Sequence, residues 1–228
     1  MKISAVIVAG GRGKRMGADI NKVLLPLAGT EIIARTLAAF EECEVIDEIV
    51  LVTGADDVAR MREIVKRNGI TKLSGIVKGG AERQNSVYNG LAAATGDIAA
   101  IHDGARCLIT PEEIAAVTAD AVKFGAAALG VRVKDTLKSV DEDGNIVSTI
   151  DRERTVQIQT PQVFVLDEIK ELHERAERDG VAVTDDCSVF EHYGRAVHVT
   201  EGSYDNIKLT TPEDIAVGER ILERRCSE

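Results

Sequence analysis

The chain of 228 residues has no tryptophan, and only 3% of its residues are aromatic. Its apolar load falls on Ala, Val and Ile, a composition suited to β-branched strands packed beneath Ala-rich helices. Long hydrophobic runs are missing too, and no segment reaches the length needed to span a bilayer. The opening Met1–Gly10 has one basic residue and a short apolar stretch. A basic, glycine-rich segment follows where a signal peptide would have its cleavage site, so the opening reads as a buried first strand. Cysteine is sparse. Cys43, Cys107, Cys187 and Cys226 form no C-x-x-C pair and have no histidine at ligand spacing. That argues against a disulfide framework or structural zinc, and for reduced thiols in the cytoplasm.

Positive charge is also short. The formal net charge of −10 disfavours a general nucleic-acid binder. The deficit is uneven, because residues 1–40 carry Lys2, Arg12, Lys14, Arg15, Lys22 and Arg35 against only Asp19 and Glu31. A cationic patch on an acidic protein points to a small anionic ligand held in one place.

What is present is an alternation of strand-length apolar runs with helix-period segments. Ile3–Ala9, Glu48–Thr53 and Asp97–His102 read as strands; Glu31–Phe40, Asp56–Arg67 and Glu82–Thr95 read as helices. Thr110-Pro111-Glu112-Glu113 and Thr211-Pro212-Glu213-Asp214 each announce a helix with an N-cap Thr, Pro at the first position and carboxylates over the positive end. The chain length fits one domain over residues 1–228. The alternation predicts an α/β fold with a mainly parallel sheet covered by helices on both faces. Residues 132–156 break the rhythm. Asp141-Glu142-Asp143-Gly144-Asn145 is a turn between two polar, partly alternating runs, which predicts an inserted antiparallel hairpin. It is a solvated flap or an arm gripping another subunit, and the arm is favoured.

The strongest chemical signal is Ala9-Gly10-Gly11-Arg12-Gly13-Lys14-Arg15-Met16-Gly17, directly after the first strand. Glycines let backbone N–H groups approach phosphate oxygens, and the basic side chains add charge. The segment matches neither well-known phosphate loop. No Gly-Lys-Ser/Thr occurs, and Met16 stands where a dinucleotide fingerprint needs its third glycine. Lys22 follows closely enough to close around a triphosphate. Gly79-Gly80-Ala81 turns into a helix whose Ser86 could read a base edge; a plain helix cap is the bland alternative. Asp103, at the end of a strand, suits a hard Mg²⁺ ion or hydroxyl groups. His102 beside it reads as a structural histidine. Asp205-Asn206-Ile207-Lys208 brings a carboxylate, an amide and an ammonium together, with surface charge as the bland alternative.

Taken in order, these pieces resemble the 2-C-methyl-D-erythritol 4-phosphate cytidylyltransferases. The likeness runs on through Lys134-Asp135-Thr136, Asp151-Arg152, Thr160-Pro161-Gln162 and Thr184-Asp185-Asp186. It implies a Rossmann-like nucleotidyltransferase fold that moves CMP from CTP to a small polyol phosphate, with Mg²⁺, as a homodimer joined by a β-arm. Arg15 and Lys22 match the pair that neutralises the transition state, and Arg152 and Lys208 match residues that position the acceptor phosphate. Ala9, Gly10, Gly11, Gly13, Lys14, Gly80, Ala81 and Ser86 match the nucleotide-binding segments. Asp103, Arg106, Thr136, Thr160 and Thr184 fall at substrate-binding positions, Asp103 and Asp205 at candidate metal positions. Arg152 and Thr136 would reach the partner's site from the arm. Departures exist: Gly10 and Gly104 stand where the family usually has Ala, Val23 replaces a common Gln, Cys107 a Pro and Ala81 a frequent Asp. The alternatives are a ribitol 5-phosphate cytidylyltransferase or another sugar-phosphate nucleotidyltransferase, a nicotinamide-dependent oxidoreductase, and a nucleotide sensor without turnover.

Overall fold

A computed structural model describes residues 1–11 and 21–227. In chain order these form β1 (Ile3–Val8), β2 (Pro26–Leu27), β3 (Thr30–Glu31), α1 (Ile32–Glu42), β4 (Glu48–Thr53), α2 (Val58–Arg67), β5 (Leu73–Lys78), α3 (Arg83–Ala93) and β6 (Ile98–Asp103). Then follow α4 (Pro111–Phe124), β7 (Ala126–Arg132), β8 (Lys138–Val140), β9 (Ile146–Thr149), β10 (Val156–Val165), α5 (Leu166–Arg178), α6 (Asp186–His192), β11 (His198–Glu201) and α7 (Pro212–Arg225).

Seven strands make one sheet in the order β11-β7-β10-β6-β1-β4-β5. Every pairing in it is parallel except those of β10, which runs antiparallel to both β6 and β7. The sheet is buried on both faces, so its inner strands read as unbroken apolar runs, and period-two alternation divides each strand between two cores. On β1, Ile3, Ala5 and Ile7 join Leu37 and Phe40 of α1 and Val117 of α4. Val6 points the other way, to Val87 and Leu91 of α3 and Ile169 of α5. A side chain at Gly90 of α3 would collide with Val6 and Val52, so glycine there lets the helix lie flush on the sheet.

Both Thr-Pro starts are capping boxes, Thr110 with Glu113 on α4 and Thr211 with Asp214 on α7. Residues 138–149 form the expected hairpin, a separate two-stranded sheet with Lys138 opposite Thr149 and Ser139 opposite Ser148. Val140, Ile146, Val147 and Ile150 on it are exposed.

Candidate active site

Strand β1 lies between β6 and β4, where successive connections leave the sheet in opposite directions; open α/β sheets bind ligands at the carboxyl ends of such strands. A cavity of about 670 Å³ opens there. Ala9, Gly10 and Gly11 line it from the end of β1, Gly80 and Ala81 from the turn before α3, Ser86 from the first turn of α3, and Asp103 from the end of β6. Lys22 and Lys208 complete the wall with Arg83 and Glu82. Segments spread over 200 positions of sequence thus meet in one place. Arg15, Gly13 and Lys14 lie outside the described residues.

Local bonding explains the shape. The buried Asn21 donates through Nδ2 to the carbonyl of Ala9 at 2.6 Å and to Asp57 at 2.9 Å, and its Oδ1 accepts from the Val23 N–H. It fastens the helical turn Lys22–Leu24 to the exit of β1, which brings Lys22 beside the glycines. The Ser86 hydroxyl closes the Gly80 turn: it accepts from the Gly80 N–H at 3.0 Å and donates to the Glu82 carbonyl at 3.0 Å. One lone pair is left for a ligand's donor.

Asp103 is the electrostatic centre of the cavity. Its side chain is only 11% exposed, with Oδ2 2.7 Å from Lys208 Nζ and Oδ1 3.5 Å from Arg83 Nε. Burial opposes its ionisation, but Arg83 and Lys208 outweigh that and hold its carboxyl well below the usual range. Its backbone N–H donates to Thr160 Oγ1 at 3.1 Å, so Thr160 supports Asp103 from beneath and stays buried. Thr160 Oγ1 also meets His102 Nδ1 at 3.0 Å. Complete burial drives the His102 pKa down to about 4, so the ring is a neutral structural group near pH 7.

Other predicted residues sit elsewhere. Arg106 does not line the cavity; its Nη1 donates to the Asn206 carbonyl at 2.7 Å, bracing the loop that carries Lys208. Asp205 faces Arg224 and Arg225 of α7, away from the cavity, and so acts as an anchor for the same loop. Thr184 is exposed just before α6 and does not line the cavity. Thr136 and Arg152 are exposed near the hairpin, and neither lines the cavity of its own chain. Two site residues stood beside sequence motifs without being assigned a role. Asn21 is a common residue type in a turn, and Arg83 acts through contacts far away in sequence.

Cation-rich walls, a glycine-lined floor and the ionised carboxylate of Asp103 suit alignment of phosphate groups. Cys107 is buried, with its thiol pushed up to about 11 by desolvation, so it is not an attacking thiolate.

Residues 3–224 match the family model described as 2-C-methyl-D-erythritol 4-phosphate cytidylyltransferase. A protein of that name from Pelotomaculum thermopropionicum is 44% identical over 228 residues, covering 98% of this chain and 95% of the relative. Another from Clostridium botulinum (strain Loch Maree / Type A3) is 46% identical over 225 residues, covering 98% of each. Among solved structures, the 4-diphosphocytidyl-2C-methyl-D-erythritol synthase of Anaerococcus prevotii superposes with a TM-score of 0.88 at 31% identity, over 97% of this chain and 96% of that one. The 2-C-methyl-D-erythritol 4-phosphate cytidylyltransferase of Thermus thermophilus gives 0.79 at 28% identity, over 96% and 98%.

Proposed function

Because this chain belongs to the 2-C-methyl-D-erythritol 4-phosphate cytidylyltransferase family, we propose that it transfers CMP from CTP to 2-C-methyl-D-erythritol 4-phosphate and releases pyrophosphate. The observation that carries the proposal is the meeting of the Ala9–Gly11 backbone, Lys22 and the Asp103–Lys208 pair in one cavity at the ends of β1 and β6. The relatives' names favour this acceptor over ribitol 5-phosphate.

In the reaction, an oxygen of the acceptor phosphate attacks the α-phosphorus of CTP in line. A P–O bond forms, the bond to the bridging oxygen of the β-phosphate breaks, and its electron pair leaves with pyrophosphate. The attacking phosphate is already ionised near neutral pH, so neither a protein nucleophile nor a general base is needed. The protein's work is to bring two anions together and neutralise the charge that builds between them. Lys22 takes the triphosphate side with the glycine backbone, and Lys208 takes the acceptor phosphate. Gly80, Ala81 and Ser86 hold the base.

We assign Mg²⁺ as the cofactor. Among the described residues no group of three or more His, Cys, Asp or Glu gathers, and the cavity offers the carboxylate of Asp103 at its centre. Such a donor set fits Mg²⁺, which is commonly held by one or two carboxylates and substrate phosphates. When bound, the ion shares in neutralising the phosphate charge.

We also assign a homodimer, in which the hairpin of one subunit brings Arg152 and Thr136 to the cavity of the other. Support comes from their exposure, their absence from the lining of their own chain's cavity, and the exposed apolar side chains of β8 and β9. The enzyme is assigned to the cytoplasm; among the described residues no helix is long and apolar enough to cross a membrane, and Cys43, Cys107, Cys187 and Cys226 are unpaired. The test is pyrophosphate release with CTP and Mg²⁺, comparing methylerythritol 4-phosphate with ribitol 5-phosphate, with and without chelator. Release with the first acceptor alone, abolished by chelation, is expected; release with ribitol 5-phosphate alone would overturn the acceptor assignment.

A further inference from the structure

Asp103 is gripped from two sides, and one of those grips is itself held. Arg83 opens α3 at the cavity wall, and its Nη2 donates to Asp186 Oδ2 at 2.8 Å, across 103 positions of sequence. Asp186 is the first residue of α6, and its side chain is 1% exposed. Its second carboxylate oxygen lies 3.2 Å from Nε2 of the buried His173 on α5. Gln162 of β10 seats the same end of α6, its Oε1 accepting from the N–H groups of Asp186 at 2.9 Å and Cys187 at 3.1 Å. Three elements behind the cavity therefore converge on Asp186, the carboxylate that holds a guanidinium of the cavity wall.

A buried carboxylate between a guanidinium and an imidazole is costly to desolvate, so such a group is weak evidence for stability alone. Its distinctive property here is direction. Arginine presents a rigid fork of donors that pairs with carboxylates through two parallel bonds. Released from Asp186, Arg83 could turn that fork fully onto Asp103, which it now meets only through Nε at 3.5 Å. Asp103 would then be drawn from Lys208. We infer that Asp186, seated by His173, is a positioning residue that restrains Arg83 and so keeps Asp103 paired with Lys208, the ammonium facing the acceptor phosphate. This inference deepens the transfer reaction proposed above and rests on it.

The test is Asp186→Asn, which keeps the shape and removes the charge. The acceptor KM is expected to rise about tenfold or more, with the CTP KM within about threefold of the parent. Because Asp186 acts through Arg83, the same substitution in an Arg83→Met background should cost about twofold or less. A merely structural carboxylate would cost the same in both backgrounds, and that result would overturn the inference. His173→Leu removes the imidazole that seats Asp186 and should raise the acceptor KM likewise, so the kinetic test survives if Asp186→Asn does not fold. The clamp is also read without turnover, in the ¹⁵N–¹H spectrum of arginine side chains. The Arg83 Nε–H signal, identified by its loss in Arg83→Lys, should move in both Asp186→Asn and Asp103→Asn. A signal unmoved by Asp186→Asn would refute the clamp even in a protein that releases no pyrophosphate; such inactivity would refute the reaction instead.

Discussion

Replacing Lys208 by methionine removes the ammonium and keeps most of the side chain's length. In the parent its Nζ lies 2.7 Å from Asp103 Oδ2, and the side chain is 39% exposed. Two effects follow from this geometry. The acceptor phosphate loses its counter-charge, and Asp103 keeps an uncompensated share of negative charge beside it. A unit charge about 4 Å from another is worth about 4 kcal/mol at an effective dielectric near 20. Solvent reaching the partly exposed ammonium screens that interaction, which brings it to roughly 2 kcal/mol. At 1.4 kcal/mol per factor of ten, kcat/KM for the acceptor should fall by about 30-fold. The assay is coupled pyrophosphate release, with each substrate varied while the other saturates, and thermal unfolding checks that the variant is intact. A folded Lys208→Met with acceptor kcat/KM within about threefold of the parent would refute the charge argument.

Lys22→Ala should cut turnover by about 10²-fold or more, because it removes a preorganised charge at the developing transition state; near-normal turnover would remove Lys22 from that role. Mixing inactive Lys22→Ala with inactive Arg152→Ala tests the shared site. Random reassortment makes half the dimers mixed, each with one intact site, so about a quarter of the parent activity should return. A mixture that stays inactive, with exchange verified, would place Arg152 in its own chain's chemistry. Stability should fall as pH drops from 6.5 towards 4: His102 has its pKa lowered to about 4 by burial, so in that window the unfolded chain takes up a proton that the folded chain refuses. The loss reaches about 3 kcal/mol in chemical denaturation, and His102→Gln should flatten it; an unchanged pH dependence would contradict a neutral buried ring.

Much of this architecture is legible in the sequence where local physics decides it. β1, β4 and β6 are buried on both faces and therefore appear as apolar runs. The Thr-Pro caps mark α4 and α7, and the Asp141–Asn145 turn marks the hairpin. The other half of the sheet hides its signal. Ala126-Ala127-Ala128 in β7 has the composition of a helix, yet small side chains suit a strand squeezed between two cores. β10 carries Gln157, Gln159, Thr160 and Gln162, too polar for an obvious inner strand. Its buried polar groups are bound across the fold, Gln162 to the start of α6 and Gln159 to the Ser203 carbonyl. The site divides in the same way. The glycine turns, Lys22, Asp103 and Lys208 stand in short motifs, and the structure brings them together. The grip of Arg83 on Asp103 and Asp186, and the anchoring of Asp205 by α7, depend on contacts that sequence spacing does not encode.

The most direct test of the account follows the oxygen atoms. Methylerythritol 4-phosphate carrying ¹⁸O in its non-bridging phosphate positions is incubated with CTP, Mg²⁺ and the enzyme, and the product is read by ³¹P NMR. Attack by the acceptor phosphate on the α-phosphorus predicts ¹⁸O in the new bridge, seen as an isotope shift on the cytidine-side phosphorus, with one pyrophosphate formed per product. An unshifted cytidine-side phosphorus, or CMP and pyrophosphate appearing without acceptor, would contradict it.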